Sequence, residues 1–116
     1  MYLRVLAMFT GSVLLFQSAV LQAADAVPVL TIQGQQFTPQ TMVFPSGVKQ
    51  KLIIRNSTAI PAEFESYDLS REIIVPAHGE VTIYIGPLEA GRYQYFNDFN
   101  HAMQGTITVT APQQGH

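Results

Sequence analysis

The chain has 116 residues, with six basic and eight acidic side chains, three histidines, no cysteine and a formal net charge of −2. With no Lys/Arg run and a slightly acidic balance, it lacks the basic footprint of a nucleic-acid-binding protein. The absence of cysteine excludes disulfides and any metal centre that depends on a thiolate ligand.

The N-terminus reads as a secretory signal peptide. Arg4 supplies a short basic region, Val5 to Phe16 an apolar stretch, and Leu21-Gln22-Ala23-Ala24-Asp25-Ala26 a small-residue cleavage site. A spanning helix needs about 20 apolar residues, and Gln17, Ser18 and Gln22 interrupt this run. Cleavage is expected after Ala23, with Ala26 as the alternative site. Residues 1–23 then form a leader helix, 24–112 one domain and 113–116 a flexible tail, and the product is periplasmic or secreted. Removing Arg4 leaves five basic residues against eight acidic ones, a net charge of −3. Such a balance suits cations better than anions. The length remaining suffices for one domain with one core.

Beyond the leader the hydrophobic period is two, not 3.6. Leu30 and Ile32 alternate with Thr31 and Gln33. Leu52 and Ile54 share a face opposite Lys51, Ile53 and Arg55. Val81, Ile83 and Ile85 alternate with Thr82 and Tyr84, and Ile107 and Val109 with Thr106, Thr108 and Thr110. Turn residues separate these runs at Thr38-Pro39, Pro45-Ser46-Gly47, Pro76-Ala77-His78-Gly79, and Gly86-Pro87 through Ala90-Gly91. Short strands with frequent turns predict an all-β Greek-key sandwich of seven or eight strands.

Ala62-Glu63-Phe64-Glu65-Ser66-Tyr67 carries an unusual acidic pattern. In a strand Glu63, Glu65 and Tyr67 share one face and Phe64 takes the other, with the two carboxylates roughly 7 Å apart. They can hold one cation between them, or stand solvated on a half-buried strand. Oxygen ligands of this kind suit ferrous, ferric or cupric ions.

A second group, Asp98, His101 and Met103, falls within six residues near the C-terminus, flanked by Tyr95, Phe96 and Phe99. Imidazole serves copper, iron and zinc, carboxylate the harder ions, and thioether Cu(I). Each also has a plain structural role available: Asp98 as a turn cap, His101 as a loop polar group and Met103 as a core plug. His78 reads as a solvated turn residue and His116 as part of the tail. Asp68, Arg71 and Glu72 read as a surface ion pair at a bend, worth under about 1 kcal/mol. Glu80 and Glu89 are assigned no role.

The stretches GQQFTPQTMVFPSGVKQKLIIRN, PAEFESYDLSREIIVPAHGEVTIYIGPLEAGRYQYFNDF and QGTITV resemble the EfeO-type cupredoxin-like domain. The most specific parts are EFES at Glu63–Ser66, IGPL at Ile85–Leu88 and FNDF at Phe96–Phe99. The resemblance implies a cupredoxin-like sandwich and an exported protein that works with a bacterial iron permease or another periplasmic iron-uptake component. Copper and/or iron is the implied metal. In ordinary cupredoxins a histidine ligand falls near Glu63, the cysteine near Phe96 or Asn97, and the methionine at Met103. With no cysteine, a type 1 blue-copper site is excluded. The resemblance supports an acidic site of Glu63, Glu65 and Asp98, with His101 as nitrogen donor and Met103 at the axial-ligand position. His101 and Met103 are separated by a single residue, fewer than blue-copper loops place there.

Three functions fit these residues. One is a metal-binding accessory of iron uptake that assists copper-dependent ferrous oxidation. Another is a chaperone that hands iron or copper to a permease without redox chemistry. The third is a metal-free interaction module that kept the fold and lost the site. No nucleophile motif and no HExxH pattern points to hydrolysis, and no membrane insertion is expected after leader cleavage.

Overall fold

A computed structural model describes residues 26–112. The expected leader at 1–23, the tail at 113–116 and His116 lie outside the described residues. Nine strands run in chain order: β1 Val29–Gln33, β2 Gln36–Thr38, β3 Thr41–Pro45, β4 Gln50–Asn56, β5 Ala62–Ser66, β6 Arg71–Val75, β7 Glu80–Ile85, β8 Gly91–Asn97 and β9 Asn100–Thr110. They form one sheet ordered β2-β1-β4-β7 and a second ordered β3-β9-β8-β5-β6. The all-β sandwich is as expected. Its ninth strand arises because three residues of the Gln35–Thr38 segment turn back and pair with β1, a hairpin too short to leave a periodic signal.

Alternation decides which side chains meet between the sheets. Leu30 and Ile32 of β1, Leu52 and Ile54 of β4, and Ile83 and Ile85 of β7 line one wall. Phe44, Phe64, Val75, Tyr95, Ile107 and Val109 line the other. Fully burying a side chain of this size contributes about 1.5–3 kcal/mol each, which lets the sandwich stand without disulfides. Tyr95 lies at the centre, edge-on to Phe37 at 5.0 Å and tilted against Phe64 at 5.0 Å. Its cross-strand partner is Gly105. A Cβ there would fall 2.3 Å from the Tyr95 ring, so only glycine lets that ring lie flat across β9.

Two buried polar side chains shape the approach to β5. Asn56 Nδ2 donates to the carbonyls of Ile60 and Val75, while its Oδ1 accepts from Thr58 N–H and Oγ1. This pins the connection that delivers β5. At the other end, Ser66 Oγ donates to the Gln94 carbonyl at 2.6 Å and accepts from Leu69 N–H. The acidic strand is thereby held at both ends against β6 and β8.

Candidate metal centre

Phe64 is fully buried in the core, so the alternation of β5 turns Glu63 and Glu65 to the outer face of the five-stranded sheet. The hairpin from β5 to β6 sets Glu65 directly opposite Glu72 and Glu63 opposite Ile74. Carboxylate oxygens of Glu63, Glu65 and Glu72 all lie within 4.8 Å of one another. Glu65 is half-buried and Glu72 exposed, but Glu63 is only 6% exposed. Glu63 Oε1 is enclosed with no hydrogen-bond partner. A carboxyl oxygen enclosed in this way is ordinarily protonated, paired or bound to a cation.

Repulsion within this group is visible in its protonation. Hydrogen bonding to Glu72, desolvation, and the negative charges of Glu72, Asp98 and Glu65 raise the Glu63 carboxyl to about 7. Glu65 is also pushed up, first by desolvation and then by Asp98 and Glu72, with His101 opposing the shift. The cluster therefore holds a proton where a cation would relieve the same repulsion.

The loop between β8 and β9 closes on this face. Asp98 N–H donates to the Glu63 carbonyl at 3.0 Å, which brings the Asp98 carboxylate beside β5. Asp98 Oδ1 meets His101 Nε2 at 2.9 Å. His101 packs edge-on against Phe96 at 5.3 Å, and Phe96 against Tyr67 at 5.3 Å. The imidazole is 71% exposed, so it stands at the rim. Glu63, Glu65, Asp98 and His101 thus come together on one face.

Met103 does not join them. It is 3% exposed and belongs to the hydrophobic core, where its Sδ accepts a hydrogen bond from Asn97 Nδ2 at 3.4 Å. Asn97 Oδ1 accepts from the backbone N–H of Glu63 at 3.0 Å and of Phe99 at 3.1 Å. The register shift between Phe96 and Asn97 gives β9 the extra residues that let His101 point out while Met103 turns in.

Two residues of this region escaped the sequence reading. The sequence groups Glu72 with Asp68 and Arg71 as a surface ion pair at a bend. Instead Asp68 Oδ2 accepts from Gln94 N–H at 2.8 Å, Arg71 donates to the Tyr84 carbonyl, and Glu72 faces the glutamates of β5. Asn97 could have been found: its parity with Tyr95 places it inward, and an inward amide must find partners. His78 is exposed in its turn as expected, with its N–H donating to the Thr58 carbonyl. Glu80, assigned nothing, pairs with Arg55 at 3.1 Å.

Three carboxylates lie within reach of one ion, and Asp98 and His101, bonded to each other, stand beside them, so the donors on the outer face are oxygen and nitrogen with no sulfur. They match hard or borderline cations and do not match the sulfur ligation that favours Cu(I).

Residues 5–109 match the family model described as Cupredoxin-like domain. An uncharacterized protein of Rickettsia prowazekii strain Madrid E is 41% identical over 81 residues, 69% of this chain. The chain spans 65% of that relative's length. Among solved structures, amicyanin from Paracoccus versutus aligns with a TM-score of 0.61 at 18% identity, covering 76% of this chain and 88% of that one. The Cu(I)-bound metal-binding domain of the Streptococcus pneumoniae D39 Cu(I)-exporting P-type ATPase CopA aligns with a TM-score of 0.64 at 15% identity, covering 71% and 82%.

Proposed function

The chain belongs to the cupredoxin-like domain family, and on that premise we propose that it is an exported metal-binding accessory of iron uptake. Its cargo is an oxygen-preferring cation, iron first, held by Glu63, Glu65 and Glu72 with Asp98 and His101 at the edge. The observation that carries this reading is the buried, unpartnered Glu63 Oε1 inside a group of three carboxylates. Copper in the relatives does not transfer as a sulfur-bound centre, since this chain has no cysteine and its Met103 sulfur is engaged by Asn97. Cupric ion remains compatible with the oxygen and imidazole donors. Carboxylates stabilise the more highly charged ferric form over the ferrous one, which favours retention after oxidation and suits delivery to a permease or another periplasmic component.

The test is calorimetric titration of the exported chain with ferrous, ferric-citrate, cupric and zinc ions. Stoichiometric binding of iron or cupric ion is expected, lost when Glu63→Gln and Glu65→Gln are combined. Binding no tighter than about 1 mM for every ion, near −4 kcal/mol, would sink the proposal.

A second reading, a metal-free interaction module, draws on one observation. The Asn97–Met103 hydrogen bond fills the interior with protein contacts, as a domain that had given up an interior centre would do. Absence of binding in the titration selects it.

A further inference from the structure

We propose that Asn97 is the positioning residue of this site, joining its strand half to its loop half and committing Met103 to the core instead of to a metal. The inference rests on the metal-site reading above and adds a residue that touches no ion.

Asn97 is 5% exposed, and both ends of its carboxamide are engaged. Its oxygen accepts from Glu63 N–H, on the strand that carries the carboxylates, and from Phe99 N–H, in the turn that carries Asp98. Two backbone donors on one atom identify that atom as oxygen, so the NH2 group must face Met103 Sδ. Asp98 N–H returns the link by donating to the Glu63 carbonyl. Two hydrogen bonds thus join the carboxylate strand to the turn, one of them ending on Asn97, and the Phe99 N–H bond to the same Asn97 oxygen closes the turn itself. Such a buried, satisfied network fixes one geometry. Without the Asn97 oxygen the β5–β8 pairing persists through Phe96 and the backbone of Asn97, but beyond it the turn keeps only the Asp98 link to β5, and Asp98 and His101 lose their fixed place beside Glu63 and Glu65. Met103 has its sulfur turned to the amide, which makes the site one of oxygen and nitrogen donors.

The experiment compares wild type, Asn97→Ala and His101→Ala by cupric EPR and titration, and by amide hydrogen exchange of the metal-free chain. Wild type is expected to show nitrogen superhyperfine structure from His101. Asn97→Ala should lose it, give the spectrum of His101→Ala, and bind cupric ion at least about tenfold more weakly. In the metal-free chain its Asp98 amide should exchange at least about tenfold faster, while Leu52 and Ile54 amides in the other sheet keep their protection. Asn97→Asp, which keeps both acceptor contacts, should restore the nitrogen signal. A residue that merely supports the fold would lower the melting temperature and leave the spectrum intact, and that result overturns the proposal. So does unchanged Asp98 exchange in Asn97→Ala. If wild type binds no cupric ion, the metal reading loses that ion and the exchange data alone decide whether Asn97 couples the two segments. Should Asn97→Ala not fold, Asn97→Ser, whose hydroxyl is too short to reach both amides, takes its place with the same expectations.

Discussion

Glu65 on β5 and Glu72 on β6 stand directly opposite each other across an antiparallel pair. Like charges in that register destabilise a sheet, and Glu63 beside them adds a third carboxylate within 4.8 Å. A proton on Glu63 relieves this repulsion in the metal-free chain, and a cation would relieve it in the same place.

Glu72→Gln should therefore act in opposite directions on stability and binding. Removing the facing charge is expected to raise the urea midpoint of the metal-free chain slightly and to weaken ferric and cupric binding. Urea denaturation and metal titration of the same preparation check both. A loss of stability with unchanged binding would return Glu72 to the role of a surface residue.

The protonation of Glu63 sets the pH dependence. Its carboxyl is raised from 4.5 to about 7 in the folded chain. Between these values the native state binds more protons than the unfolded state, so stability falls as pH rises. Its contribution is complete below about pH 4.5 and lost as pH passes through about 7. The melting temperature of the metal-free protein should decline across that window, and Glu63→Gln, which cannot ionise, should flatten the decline. Added cation displaces the same proton, so its stabilising effect should be largest above pH 7. A pH series by differential scanning fluorimetry, with and without ferric citrate, measures all three.

The sandwich was legible because period-two alternation is a local property. Leu30, Ile32, Leu52, Ile54, Ile107 and Val109 lie buried where alternation puts them. Glu63 and Glu65 were legible for the same reason, since the buried Phe64 between them fixes their common face. Glu72 was not, because its nearness to Glu65 depends on the β5–β6 register, which the turn from Tyr67 to Ser70 sets. Met103 shows the reverse limit. Its place before the final long run marked it as a ligand or a core plug alike, and only the shift between Phe96 and Asn97 separates its direction from that of His101.

Met103→Leu tests that separation from the core side. The substitution nearly conserves volume but leaves Asn97 Nδ2 buried without an acceptor. An unsatisfied buried donor costs about 1–3 kcal/mol, so the melting temperature should fall. Asn97 Oδ1 still holds both backbone amides, so metal affinity and the cupric spectrum should stay at wild-type values. A changed spectrum would make Met103 a ligand after all.

The convergence of strand and loop is open to a double-mutant cycle on Glu65 and Asp98. Asp98 is among the causes that push the Glu65 carboxyl up, and Asp98 is anchored to Glu63 through its backbone N–H. Glu65→Gln and Asp98→Asn should each weaken ferric or cupric binding. Residues that share one ion are not additive, and contact pairs show interaction energies of about 0.5–3 kcal/mol. The double variant is therefore expected to lose less than the two single losses combined, because removing either carboxylate already dismantles the same coordination. Titration of the four proteins at one pH above 7 gives the coupling directly. Strict additivity would mean that Glu65 and Asp98 act on separate ions, and the single site drawn across β5 and the β8–β9 turn would have to be divided in two.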